Sequence, residues 1–136
     1  MLLTSENPKI GWITVLLLIF LGLGKMNAQS TWKAPEDADK ISNPLKGDTS
    51  ATESGKKTFK MLCAICHGDK GKGNGMGGAG LTPKPSNLTS DAVQAQTDGA
   101  LYWKLTKGRP PMAAYESILP EKTRWELINY IRTLKP

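Results

Sequence analysis

Cys63-Ala64-Ile65-Cys66-His67 decides how this chain is read. His67 is the only histidine in the 136 residues, and Cys63 and Cys66 are the only cysteines. Every thiol and the single imidazole therefore fall in five consecutive positions. A dithiol redox motif belongs at the head of a helix that follows a buried strand, and nothing ahead of Cys63 reads as one. A structural zinc site takes four Cys or His ligands. This chain offers three, so zinc would need a carboxylate or a second chain. A disulfide closing Cys63 onto Cys66 is strained across so short a loop. The remaining chemistry is covalent attachment of c-type haem: two thiols three positions apart reach the porphyrin's vinyl groups, and the next side chain turns under the iron.

Upstream, residues 10–23 (Ile-Gly-Trp-Ile-Thr-Val-Leu-Leu-Leu-Ile-Phe-Leu-Gly-Leu) form the only long apolar run. It is short against the roughly 20 residues of a membrane span and matches the apolar region of an export signal. Residues 1–28 are read as a signal peptide cleaved after Ala28, or as an uncleaved signal anchor tethering the protein to a membrane. Either places the domain outside the cytoplasm, in a bacterial periplasm or on the outer face of the cytoplasmic membrane. Residues 29–51, with Pro35, Pro44 and Gly47 and few apolar side chains, read as an irregular arm or linker, either packed on the domain or hanging from it. The globular domain is expected over residues 52–136. Its first helix opens at Thr52-Glu53-Ser54-Gly55, and Gly55, Phe59 and Leu62 share one face.

Downstream of the motif, His67 to Gly80 holds seven glycines in fourteen residues. The Gly-Lys-Ser/Thr ending of a phosphate loop and its preceding strand are missing. An irregular loop that lets backbone approach a flat cofactor explains the glycines better. Leu81 to Leu88, with Pro83 and Pro85, is extended, because each proline biases the residue before it away from the helix. A helix follows over Asp98 to Lys107, capped by Thr97 and stopped by Gly108. Gly108-Arg109-Pro110-Pro111-Met112 then presents a thioether on a stiff, non-helical loop, and a thioether is a soft ligand suited to haem iron. Met76, in the flexible run nine residues after His67, is the weaker competitor. The last helix opens at Pro120 and carries Trp125, Leu127, Ile128, Ile131 and Leu134 on its apolar face, with Tyr130 on the flank.

The net charge is +6. Lys56, Lys57, Lys60, Lys70 and Lys72 surround the motif with only Asp69 among them, a collar suited to steering an acidic redox partner. No basic helix or aromatic stacking platform accompanies the charge, which excludes nucleic acid.

Gly55-x-x-x-Phe59, Cys63-x-x-Cys66-His67, a proline-bearing loop, Met112 after two prolines and Leu127-x-x-Tyr130 on a terminal helix together resemble the class I c-type cytochromes. The resemblance covers about residues 52–136. It implies an all-α, cytochrome c-like fold of three to four helices around one covalent haem c, with the first and last helices crossing where Gly55 and Phe59 meet Leu127 and Tyr130. It also implies that a proline carbonyl, Pro83 or Pro85, accepts the second N–H of His67. The family often has proline after its ligand methionine, where this chain has Ala113, and its glycine loop is usually shorter.

With His67 and Met112 as iron ligands there is no open position for substrate. The expected function is one-electron transfer between respiratory partners, as a carrier or as the cytochrome subunit of an oxidoreductase, and not catalysis. If Met112 does not bind, the open site would suit a gas sensor or a peroxidase-like enzyme, with Arg109 as the distal cation. Haem flanked by Phe59, Leu88, Trp103, Leu105 and Tyr115 would complete a core that about 85 residues leave thin, so the haem-free chain is expected to be largely disordered.

Overall fold

The computed structural model describes residues 32–136, and residues 33–136 form one compact unit. The expected signal peptide or signal anchor of residues 1–28 and the start of the arm lie outside the described residues. The α-helices are α1 (Thr49–Leu62), α2 (Ala64–His67), α3 (Asp91–Gln94), α4 (Asp98–Lys107) and α5 (Glu121–Arg132), with 3₁₀ turns at Glu36–Lys40 and Met76–Gly78. Among the described residues there is no strand, only an isolated bridge between Arg109 and Met112. The all-α expectation is met.

Helix α1 starts three residues earlier than the sequence suggests. Asp48 caps it, its carboxylate accepting the Ala51 N–H at 2.9 Å; an aspartate in this role neutralises one of the orphan donors of the first turn. Ala51, Gly55 and Phe59, spaced four apart, are its buried face. Leu62, one turn further, stays 39% exposed.

That face meets α5. A Cβ on Gly55 would overlap the Glu126 carbonyl, so only glycine lets the two backbones approach this closely. One turn on, Phe59 lies against Tyr130 with ring centroids 5.1 Å apart and planes tilted by 58°. Phe59, Leu127 and Ile128 are fully enclosed, each contributing about 1.5–3 kcal/mol by leaving water. The contact foreseen between Gly55 and Phe59 and the terminal helix is present. Helix α5, read from sequence as a one-sided amphipathic helix, is buried continuously from Arg124 to Tyr130.

The arm supplies much of that extra cover. Of the two arrangements open from sequence, its described part packs on the domain. Ala38 is buried, and the carbonyls of Ala38 and Ile41 stand over Gly99 at the start of α4. Leu45 packs against the core. Polar side chains complete the junction: Asn43 donates to Asn129 at 2.8 Å and to Asp98 at 2.9 Å, and Asn129 donates to the Leu45 carbonyl. Asp98 also accepts from Arg132 at 2.6 Å, whose other nitrogens hold the carbonyls of Gln94 and Gln96. The expected domain start at residue 52 thus falls inside α1, and the compact unit begins near Lys33.

Two predictions follow from these contacts. Alanine at position 55 should destabilise the holoprotein by about 2 kcal/mol in urea unfolding, the overpacking cost exceeding the gain in helix propensity. For Asp98, burial pushes the carboxyl up, but hydrogen bonds from Asn43 and Arg132 and the charges of Arg132 and Lys46 outweigh it. The net pKa lies below the ordinary 3.8. A depressed folded pKa gives stability that is complete above the unfolded value and lost as pH falls through the folded one. Asp98→Asn should therefore cost about 1–2 kcal/mol at pH 7, and its gap from wild type should close only below about pH 4.

Candidate haem site

Helix α1 delivers the motif. The Cys63 N–H bonds the Phe59 carbonyl at 2.9 Å, and Cys66 and His67 both return to the Cys63 carbonyl, at 3.2 and 2.8 Å. Cys63 is thus the turn at which α1 ends and the short α2 begins, with its carbonyl restarting the ladder. Gly68, at φ +78°, ends it. Both cysteines are free and half-buried. Burial, with Cys66 beside it, pushes the Cys63 thiol up to about 11. A dithiol redox motif needs a lowered thiol pKa, so this environment runs against that reading. Among the described residues, no three His, Cys, Asp or Glu side chains group as a metal site, so the cysteines and histidine do not converge on one ion.

His67 is oriented by backbone. Its Nδ1 lies 3.0 Å from the Ser86 carbonyl, which can only accept, so Nδ1 carries the proton and Nε2 keeps its lone pair for iron. Burial lowers the imidazole pKa below 6.5 and the Ser86 bond opposes that only in part, favouring the neutral ligand form. The expectation of Pro83 or Pro85 as acceptor is corrected: the acceptor is the carbonyl of Ser86, the residue after Pro85. Glycine backbone holds this stretch in place. Gly73 N–H bonds the His67 carbonyl at 2.7 Å, Gly75 N–H the Cys66 carbonyl at 3.0 Å, and Leu88 N–H the Gly71 carbonyl at 2.7 Å.

Met112 sits half-buried on a loop whose two ends are tied to α4. Gly108 caps that helix at φ +61°, and a Cβ there would lie 2.6 Å from Ala113 and Ala114. Tyr115 and Glu116 return by N–H bonds to the carbonyls of Leu105 and Thr106, at 3.2 and 3.1 Å. Burial raises the Tyr115 phenol, and the charges of Cys63 and Cys66 would raise it further. Met112 packs on the hydrophobic core, whereas Met61 and Met76 are 71% and 91% exposed. Arg109, considered as a distal cation, is half-buried at the start of the loop.

Two positioning groups escaped the sequence reading. Ser86 acts through its carbonyl, which no side-chain pattern advertises. Arg124 is buried on α5, donating to the Glu116 carbonyl at 3.0 Å and the Tyr102 hydroxyl at 2.8 Å, and Tyr102 stacks on Trp125 at 3.9 Å. An arginine in helical register with Ile128 and Ile131 was its signal. The donor set fits covalent haem: two unpaired thiols, an imidazole with a free Nε2 and a half-buried thioether.

A helical domain of this topology carrying C-x-x-C-H is a class I c-type cytochrome, with haem c as its cofactor. Residues 50–131 match the family described as "Cytochrome C oxidase, cbb3-type, subunit III", and the chain belongs to that family. No curated protein matches it. Its fold is similar to that of a chain in the "Kuenenia stuttgartiensis reducing HAO-like protein complex Kustc0457/Kustc0458" (TM-score 0.60, 24% identity, covering 71% of this chain and 50% of that one). It is also similar to the "KustC0563 c-type cytochrome" (TM-score 0.52, 24% identity, covering 60% of this chain and 98% of that one). The match spans half the length of the first neighbour, and at this identity both likenesses show the fold.

Removing the Arg124 clamp should free the segment behind Met112. We expect Arg124→Leu to cost about 2 kcal/mol, since the carbonyl and hydroxyl it serves lose a charged donor. Amide exchange at Tyr115 and Glu116 should accelerate before exchange on α1 does.

Proposed function

We propose that this protein is a mono-haem cytochrome that passes single electrons between respiratory redox partners, its iron held between His67 and Met112. The observation that carries the proposal is the His67 ring, locked by the Ser86 carbonyl with Nε2 free, next to two half-buried thiols. Haem c in this site supplies a one-electron iron couple. The chain's own groups do the rest. His67 and Met112 would hold the iron and leave no position for substrate, and a weakly donating thioether ligand would raise the potential. The tied loop 108–116 limits movement of Met112 between oxidation states. Of the three described methionines, Met112 alone packs on the core, which supports its choice.

The protein acts outside the cytoplasm, where haem c is attached, either freely or as the cytochrome subunit of an oxidoreductase complex. The matched family is itself described as an oxidase subunit. Among the described residues no helix is long and apolar enough to cross a membrane; any tether rests on residues 10–23. Lys56, Lys57, Lys60, Lys70 and Lys72 give the motif's surroundings a basic cast that steers acidic partners.

Visible spectra of protein matured with haem c test the ligands. The wild type should be low-spin, with the weak far-red band of thioether-bound ferric iron, and indifferent to carbon monoxide. Met112→Ala should abolish that band and admit carbon monoxide. A wild type that is high-spin and binds carbon monoxide readily would instead mean an open sixth position and a sensor or peroxidase-like role.

A further inference from the structure

The carbonyl that orients His67 belongs to a stretch with no helix or strand of its own. Residues 84–87 have no regular structure, and Ser86 and Asn87 are exposed, so the Ser86 oxygen must be held in line with Nδ1 from outside. The peptide that follows is gripped on both sides. The Leu88 N–H bonds the Gly71 carbonyl at 2.7 Å, and the Asn87 carbonyl accepts from the Ser90 hydroxyl at 2.7 Å. Both partners lie in neighbouring loops, so these bonds hold loop against loop. Gln94 supplies a tie to a long helix. Its half-buried side-chain amide donates one hydrogen to the Leu88 carbonyl at 2.8 Å and the other to the Ile131 carbonyl of α5 at 3.0 Å. A primary amide carries two N–H donors on one nitrogen, which is what two carbonyls from different segments require. Gln94 is itself held, since Arg132 of α5 donates to its main-chain carbonyl at 2.9 Å.

We infer that Gln94 is a positioning residue for the proximal ligand: by pinning Leu88 to α5, it keeps the Ser86 carbonyl on His67 Nδ1. The inference rests on the reading of His67 as an iron ligand given above. Ile131 follows Tyr130, whose ring meets Phe59, so the tie ends on the same helix pair that delivers the motif. His67 is thereby held twice, through Cys63 from α1 and through Gln94, Leu88 and Ser86 from α5. A hydrogen bond accepted from Nδ1 makes the imidazole a stronger donor through Nε2, which favours the ferric ion. Slackening that bond favours arrival of the electron, and Nδ1 keeps its proton in both oxidation states. Leu88 also packs its side chain on the core. A role confined to packing would lower stability and leave the His67 ring unchanged.

The chain has a single histidine, so isotopically labelled histidine reports one ring. In the haem-loaded full chain, reduced and diamagnetic, it gives one Nδ1–H resonance. In Gln94→Leu that resonance should move upfield, and its proton should exchange with solvent about tenfold faster. Equilibrium with a one-electron mediator should shift about threefold toward the reduced protein, or ~28 mV. Gln96, two residues on, uses its side-chain amide on Ala92 and Lys104 instead, and Gln96→Leu should move neither quantity. An unmoved resonance and potential in Gln94→Leu, or equal changes in Gln96→Leu, overturn the inference. If Gln94→Leu yields no haem protein, the wild type decides. Its two Gln94 side-chain protons should be protected from exchange, and protons that exchange as freely as those of an exposed glutamine overturn the inference. A high-spin wild type that binds carbon monoxide strikes the electron-carrier reading alone, and the His67 resonance is then read by the same criteria in the diamagnetic carbon monoxide form. A wild type without haem c overturns both.

Discussion

The close crossing of α1 and α5 at Gly55 is the contact on which the rest of the domain depends. With no side chain at that position, the α5 backbone lies directly on α1, and Phe59 reaches Tyr130 one turn later. Cys63 follows Phe59 by one further turn and bonds its carbonyl, so the haem-attachment segment is anchored at the end of the same helix. At the start of α5, Arg124 holds the residues just behind Met112. Both segments that bear the chemistry are therefore hung from one helix pair. A shift of that pair by the width of a methyl group would displace both.

Between those supports the backbone does most of the positioning. A carbonyl orients His67, and glycine N–H groups tie the loop after the motif to the His67 and Cys66 carbonyls. The repetition of glycine thereby acquires a reason: the loop turns back on the motif closely enough for its own amides to bond it. Because a carbonyl can only accept, the tautomer of the imidazole is determined without a carboxylate partner. Only the methionine loop is braced by a charged side chain, and Arg124 is buried, so its bonds to Glu116 and Tyr102 are poorly replaced by water.

The arm changes what counts as the domain. Residues that look like a linker by composition bury Ala38 and part of Leu45, and deliver Asn43 into a network with Asp98, Asn129 and Arg132. A domain this small has little apolar surface to spare, so covering a second side of α5 enlarges a thin core. The network is satisfied only because three separate stretches of chain, the arm, α4 and α5, meet there. That is why Asn43 and Asn129, unremarkable in sequence, are among the better connected residues of the fold.

Much of this was legible in the order of residues, because it depends on local chemistry. The spacing of two thiols and an imidazole along one helical turn, the cap-to-glycine limits of α4 and the apolar periods of α1 and α5 are properties of neighbours in sequence. They suffice for an all-α domain attached to haem c. What the tertiary structure alone decided concerns groups that carry no side-chain signature or that meet from afar. Ser86 supplies the carbonyl in place of Pro83 or Pro85, and the direction of a carbonyl is set by how the extended stretch lies on the motif. The arm packs because Asn43 finds partners 55 and 86 residues away. Helix α5 is enclosed on more than one face because of that packing. The arginine behind the methionine loop, Arg124, has partners only because the fold brings Tyr102 and Glu116 to it. Short-range spacing is written in the chain, whereas the direction of a carbonyl and the company of a buried charge exist only once distant segments have closed on each other.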